Sequence, residues 1–222
     1  MKLVNGTQTA VLFGATGLVG GHLLDRLLEE AGYARVVAVT RRELDRRHPK
    51  LTNPVFPLAE LDRHAACLAG VDDVFIALGT TRKRAGSAAA FRQVDLHYVL
   101  AAARVARAQG ANQCLLVSSA GADADSRLLY PRTKGEAEDA LADLGFWALR
   151  IFRPGILLGN RDEFRPGERL GAAVTTLLRS LSPRILGDYN PVEADRLAQR
   201  VVEAARDTTG GLITYGARAI IH

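Results

Sequence analysis

The sequence predicts a doubly wound parallel α/β sheet with helices on both faces. Three observations carry that reading. Short apolar runs alternate with helical patterns from residue 9 to residue 152, the order a parallel sheet with crossover helices requires. The strand-like runs are continuously apolar, as strands buried on both faces must be. A glycine-rich turn, Gly14 to Gly20, joins the first such run to the first helical pattern.

The elements follow in order. Thr9 to Gly14 is the first strand, and Leu18 to Glu30 a helix with Leu23, Leu24, Leu27 and Leu28 at helical spacing and Gly32 as its stop. Val36 to Val39 is the second strand, and Pro54 to Pro57 is read as a short third. Leu61 to Leu68 is expected to be helical, Val74 to Leu78 the fourth strand, and Ser87 to Gln109 one long alanine-rich helix. Cys114 to Ser119 is the fifth strand, Arg132 to Leu144 a helix, and Phe146 to Phe152 the sixth strand, with Trp147 in the core. Beyond it the pattern loosens. Helices are expected over Leu170–Leu181 and Val192–Ala205, and a last strand at Leu212–Tyr215.

The 222 residues suit one large domain with a full core. Apolar residues make up 48 % and charged residues 24 %, a balance that excludes a disordered chain. Cys67 and Cys114 form no disulfide framework and no zinc spacing, which favours a reducing compartment. No run approaches the ~18 apolar residues of a membrane span, and the segment Met1 to Gly6 lacks a secretory pattern. The expected location is cytoplasmic. The five histidines never take H-x-x-x-H or H-E-x-x-H spacing, so no metal site is expected. His97 is read as a packed or surface residue and Cys114 as a small core hydrophobe.

The turn reads Gly14-Ala15-Thr16-Gly17-Leu18-Val19-Gly20, a G-x-x-G-x-x-G spacing between strand and helix. The first glycine permits the tight turn, the second a close backbone approach to a pyrophosphate, and the third close helix–strand packing. The free N–H groups and dipole of the following helix favour phosphate. Gly14, Thr16, Gly17, Leu18, Val19 and Gly20 are therefore expected to bind a dinucleotide. The second strand ends Thr40-Arg41-Arg42, where an NAD-preferring site usually carries Asp or Glu. Arginine suits a 2′-phosphate, which its planar fork binds in two places. The expected cofactor is NADP(H).

Ser118 and Ser119 end the fifth strand, and Tyr130-Pro131-Arg132-Thr133-Lys134 follows. On a helix, positions i and i+4 share a face. A free tyrosine titrates near 10 and shuttles protons poorly at neutral pH, whereas a nearby ammonium favours the phenolate. Tyr130 is the candidate acid/base, Lys134 its tuner and a ribose ligand, and Ser119 the group that orients the substrate oxygen. Pro131 disfavours α geometry for Tyr130 and, as a first helical residue, would leave Tyr130 at the N-cap.

Together these residues resemble the short-chain dehydrogenase/reductase superfamily, in its extended or atypical branch, over about residues 9–160. The details resemble the Tat-interacting protein (CC3-like) NADPH-binding oxidoreductase family. They are Ala77-Leu78-Gly79-Thr80-Thr81-Arg82-x-x-Ala85-Gly86, Val94-Asp95-x-x-Tyr98-Val99-Leu100, Lys134-Gly135-Glu136-x-Glu138, Arg153-Pro154-Gly155-x-Leu157-Leu158, Arg165-Pro166-Gly167-Glu168 and the ending Ala219-Ile220-Ile221-His222. The resemblance implies a Rossmann domain with a small C-terminal substrate region, placed at 159–190. It implies that Leu78, Gly79, Pro154, Leu157 and Arg165 border the cofactor. Two positions depart from it. Pro57 stands where an acidic residue is common near the adenine, and Asp95 where many members of the superfamily carry asparagine.

The implied function is an NADP(H)-dependent oxidoreductase of a small carbonyl or hydroxyl compound. The alternative is an NADPH-binding redox-sensing module that acts through a protein partner. The chain is expected as a monomer or homodimer, with neither nucleic acid nor membrane as partner. Its net charge of +5 first raises the question of nucleic acid. Residues 41–50 and 82–84 each carry a net +3, however, so the rest of the chain is close to neutral. Both turns follow strands that should flank the first one, where a phosphorylated dinucleotide would approach.

Overall fold

A computed structural model describes residues 7–159 and 189–221. Within them, β1 (Gln8–Phe13), α1 (Leu18–Glu29), β2 (Tyr33–Val39), β3 (Leu51–Thr52), a 3₁₀ helix (Leu58–Leu68) and β4 (Asp73–Ile76) form the first half. Then come α2 (Arg82–Ala85), α3 (Ala88–Arg92), a π turn (Gln93–His97), α4 (Tyr98–Ala108), β5 (Gln113–Val117), α5 (Leu129–Ala142) and β6 (Ala148–Arg153). The chain closes with β7 (Leu157–Leu158), β8 (Val192–Glu193), α6 (Ala194–Ala205), β9 (Gly211–Gly216) and α7 (Ala217–Ile221).

Seven strands make one parallel sheet in the order β3-β2-β1-β4-β5-β6-β9. Its two faces carry separate cores. Ala10 and Leu12 of β1 pack with α1, α6 and α7, whereas Val11 and Phe13 pack with the 3₁₀ helix, α4 and α5. The period of two along a strand thus explains why β1 is apolar at every position from Ala10 to Phe13. The chain leaves β1 toward β2 and β3, then returns to β4 on β1's other side. The connections that leave β1 and β4 run to opposite sides, which makes their carboxyl ends a switch point of the kind where ligands bind in open α/β sheets.

Two expectations, the third strand and Trp147, need correction. The third strand is Leu51–Thr52, not Pro54–Pro57: the prolines cannot donate to a ladder, and Val55 makes only an isolated bridge to Thr40. The helix expected over Leu61–Leu68 is present as a 3₁₀ helix over Leu58–Leu68, with Pro57 as its N-cap. The long helix is present as α3, a π turn and α4 in unbroken succession, and Gly86, at φ +81°, separates it from the short α2 before it. Trp147 is 40 % exposed rather than core, because it precedes β6 and lies against Gly210. The last strand is present and slightly longer than expected. Arg165 and the helix expected over Leu170–Leu181 lie outside the described residues.

Candidate functional site

The glycine turn is built by close backbone approach. Gly14 has φ +95°, and a Cβ there would fall 2.5 Å from the Ala77 carbonyl oxygen. A Cβ on Gly20 would fall 1.9 Å from the Gly14 carbonyl oxygen, so α1 can sit against the turn only without a side chain. Gly17 is different. It is the N-cap of α1, its φ is −85°, and its nearest obstacle to a Cβ is 3.3 Å away. No side chain caps α1, so its first-turn N–H groups remain available at an opening lined by backbone. Thr16 is exposed, Leu18 half-buried and Val19 buried. This cradle of glycine and free amides fits a dinucleotide's phosphates.

At the end of β2, Arg41 and Arg42 are both exposed. Their backbone is tied down. Thr40 Oγ1 donates to the Arg42 carbonyl at 2.6 Å, and Asn53 Nδ2 donates to Thr40 Oγ1 at 2.8 Å and to the Ala38 carbonyl at 2.6 Å. Asn53 Oδ1 accepts the Leu44 N–H at 2.9 Å. Asn53 was not legible as a site residue, since its partners come from a strand and a turn that precede it. Further along the turn, Arg46 pairs with Asp25 of α1. A cavity of about 480 Å³ opens here, between Arg46, Arg47 and His48 and the Leu51–Val55 edge. It lies at the β2–β3 side, not at the tyrosine and lysine.

Tyr130 lies in α5 itself rather than at its N-cap. Leu128 caps the helix, and Pro131 falls in its first turn, where a missing N–H loses no helical bond. Tyr130 and Lys134 are therefore a true i, i+4 pair. Tyr130 is 44 % exposed, with its ring 5.7 Å from that of Phe91. Lys134 is buried, and its Nζ meets Asp95 Oδ1 of the π turn at 2.8 Å. The other oxygen, Oδ2, accepts the Thr80 N–H at 2.9 Å. A Cβ on Gly79 would lie 3.7 Å from Lys134 Nζ. The ammonium thus stands at the carboxyl end of β4, and a Cβ on Gly14 would come within 3.1 Å of the Leu78 amide. Gly14, Leu78, Gly79 and Lys134 thus lie together at the carboxyl ends of β1 and β4.

The two serines divide. Ser118 is buried and its Oγ donates to Glu138 Oε1. Arg153, at the end of β6, donates from Nε to both Glu138 oxygens at 3.2 and 3.0 Å, and also from Nη2. The Glu138 carboxylate holds the Arg153 guanidinium above its ordinary value, chiefly through this hydrogen bonding. One buried carboxylate on α5 therefore locks the ends of β5 and β6. Ser119 is only half-buried, and its Oγ reaches no farther than the Ala120 carbonyl at 3.2 Å. It is the serine placed at the mouth. Glu138 fell within a quoted motif, but nothing local named its partners.

Beyond β6, the Pro154 carbonyl accepts the Ala120 N–H at 2.8 Å. β7 pairs with β8 in a small parallel sheet, and Leu157 packs on the α1-side core. A Cβ on Gly159 would lie 2.9 Å from Leu18 Cδ1, so this segment closes on the start of α1. Among the described residues no cluster of His, Cys, Asp and Glu fits a metal, and no helix is long and apolar enough to cross a membrane.

Residues 14–163 match the model of the NAD(P)H-binding family. The chain belongs to that family. Protein HTATIP2 of Rattus norvegicus is 39 % identical over 166 residues, covering 73 % of this chain and 68 % of the relative. Protein fmp52, mitochondrial, of Aspergillus clavatus is 34 % identical over 218 residues, covering 94 % and 92 %. Among solved structures, a UDP-N-acetylglucosamine 4-epimerase from Methanobrevibacter ruminantium M1 in complex with UDP-N-acetylmuramic acid superposes with a TM-score of 0.71 at 17 % identity. That match covers 94 % of this chain and 76 % of the epimerase. WbmF of Bordetella bronchiseptica in complex with NAD+ and UDP gives 0.71 at 16 % identity, covering 95 % and 72 %. At such identities these two show the fold alone. The resemblance read from the motifs is borne out, and the Rossmann-type sheet with it. The cytoplasmic expectation is not. Relatives from Aspergillus clavatus, Lodderomyces elongisporus and Candida albicans are named mitochondrial. Cysteine scarcity marks only a reducing environment and does not separate compartments that share one.

Proposed function

We propose that the protein is an NADP(H)-dependent oxidoreductase that interconverts a small carbonyl compound and its alcohol. The observation that carries this reading is the Tyr130–Lys134 pair on one face of α5, with the Lys134 ammonium buried at the carboxyl end of β4 beside Gly79. Bound NADPH would supply the hydride. Tyr130 donates its hydroxyl proton to the carbonyl oxygen, and the Lys134 ammonium stabilises the phenolate left behind. Ser119 holds the same oxygen in line through a hydrogen bond. In the reverse direction Tyr130 takes the alcohol proton. The Gly17 cradle and the first turn of α1 hold the pyrophosphate. Arg41 and Arg42 supply the fork for a 2′-phosphate.

A cofactor-sensing module acting through a protein partner would need the cradle, but not a tyrosine on the same helix face as a buried lysine. The deciding experiment is turnover on a panel of aldehydes, ketones and quinones with NADPH, comparing wild type with Tyr130→Phe. Loss of turnover with NADPH binding retained is the expected result. A Tyr130→Phe variant as active as wild type ends the assignment, and a panel without any substrate favours the sensing module.

A further inference from the structure

We propose that Asp95 is a positioning residue for the nicotinamide end of the cofactor, because its carboxylate fixes Lys134 and the Thr80 amide together against Gly79. The inference rests on the reading of Lys134 as a ribose ligand. Asp95 is fully buried, and both of its oxygens are committed: Oδ1 to Lys134 Nζ at 2.8 Å, Oδ2 to the Thr80 N–H at 2.9 Å. A buried carboxylate is costly unless paired in this way. The residue reaches its place through the π turn Gln93–His97, a helix form that is itself costly and concentrated at functional sites.

The chemistry is specific to a carboxylate. It offers an acceptor oxygen to each partner, whereas an asparagine has one acceptor oxygen and an NH₂ group. With its oxygen on the Thr80 amide, asparagine would turn donors toward an ammonium. Lys134 has three N–H donors, and its ammonium faces Asp95 Oδ1 on one side only, as an ion pair. The remaining donors serve the ribose hydroxyls. A Cβ on Gly79 would lie 3.5 Å from Asp95 Oδ1 and 3.7 Å from Lys134 Nζ, so the ion pair borders the space that Gly79, itself exposed, leaves open. One carboxylate thus sets the β4 turn and the ammonium at a common edge of the cleft. The partners come from α5 and from the turn after β4, and no segment of the sequence places them together.

The test is binding, so it needs no substrate. NADPH and ADP are titrated calorimetrically against wild type and Asp95→Asn. ADP carries the adenosine and pyrophosphate but no nicotinamide ribose. NADPH binding should weaken about tenfold or more, the scale of one charge-assisted hydrogen bond lost, and ADP binding should stay unchanged. A merely structural role would weaken both alike. Because Asp95→Asn leaves a buried ammonium unpaired, at a cost to folding, Lys134→Gln and the double variant complete a cycle. On the Lys134→Gln background, Asp95→Asn should cost no further NADPH affinity. Unchanged NADPH binding by Asp95→Asn, equal loss of both ligands, or additive losses in the cycle would each overturn the inference alone. Wild type that binds no NADPH would overturn the cofactor assignment as well.

Discussion

The glycine turn yields a prediction that separates folding from binding. Gly20 and Gly17 lie three residues apart, yet an added methyl group meets different surroundings at each. At Gly20 the new Cβ would stand 1.9 Å from the Gly14 carbonyl oxygen and 2.6 Å from its carbon. Both are backbone atoms, so α1 must move away from β1. That movement disturbs Leu23, Leu24, Leu27 and Leu28, which α1 buries in the core. Overpacking of this kind costs roughly 1–3 kcal/mol, and a domain of this size loses about 2–4 °C in Tm per kcal/mol. Gly20→Ala should therefore lower Tm by several degrees and weaken NADPH binding through the displaced helix. At Gly17 the nearest atom is 3.3 Å away and φ is −85°, which alanine adopts freely. Gly17→Ala should change stability by less than about 1 kcal/mol and still lose NADPH affinity, because its methyl group fills the phosphate opening. Differential scanning fluorimetry with and without NADPH reads both effects. If Gly17→Ala melts as early as Gly20→Ala, or if it binds NADPH normally, the division of roles is wrong.

Other outcomes follow from the same geometry. Replacing Arg41 and Arg42 together by alanine should weaken NADPH by tenfold or more, the scale of lost charge-assisted contacts, and leave NADH nearly unchanged; isothermal titration with both cofactors checks it, and equal losses would remove the 2′-phosphate argument. Tyr33 is buried and donates to Asp73 Oδ2 at 2.6 Å, so burial first and then the Asp73 charge push its titration well above the usual tyrosine value. A folded state that holds this proton more tightly than the unfolded chain is stabilised fully below pH ~10, and loses that stability as pH rises beyond. Urea midpoints measured between pH 8 and 11 should fall above pH ~10 in wild type, and less steeply in Tyr33→Phe. Burial raises the thiols of both Cys67 and Cys114, Cys114 far more, and Cys114 is fully enclosed. Iodoacetamide should modify Cys67 slowly in the native protein and Cys114 only after unfolding, as peptide mass mapping would show.

Much of this molecule follows from local pattern. Continuous apolar runs such as Thr9 to Phe13 declare strands covered on both faces, because period-two burial leaves no polar position. The glycine spacing declares a βα turn open to phosphate, since Gly20 answers a steric demand from Gly14 only six residues before it. The i, i+4 spacing brings Tyr130 and Lys134 onto one face as soon as α5 forms. Where local signals competed, the sequence reading erred. Pro131 argued for a later helix start, but a proline is harmless anywhere in a first turn. The tract Ser87–Gln109 reads correctly as one helix, but alanine, which favours helix everywhere, carries no mark of the π turn within it.

The tertiary structure alone decided the pairings that make a cleft out of those elements. Asp95 finds Lys134, Glu138 finds Ser118 and Arg153, and Asn53 finds Thr40 only once the strands lie side by side. These are long-range polar contacts, with no periodicity to announce them. Their physical cause is burial. A carboxylate drawn under the sheet's carboxyl edge must find partners there, and the fold, not the neighbouring residues, determines which ones are within reach.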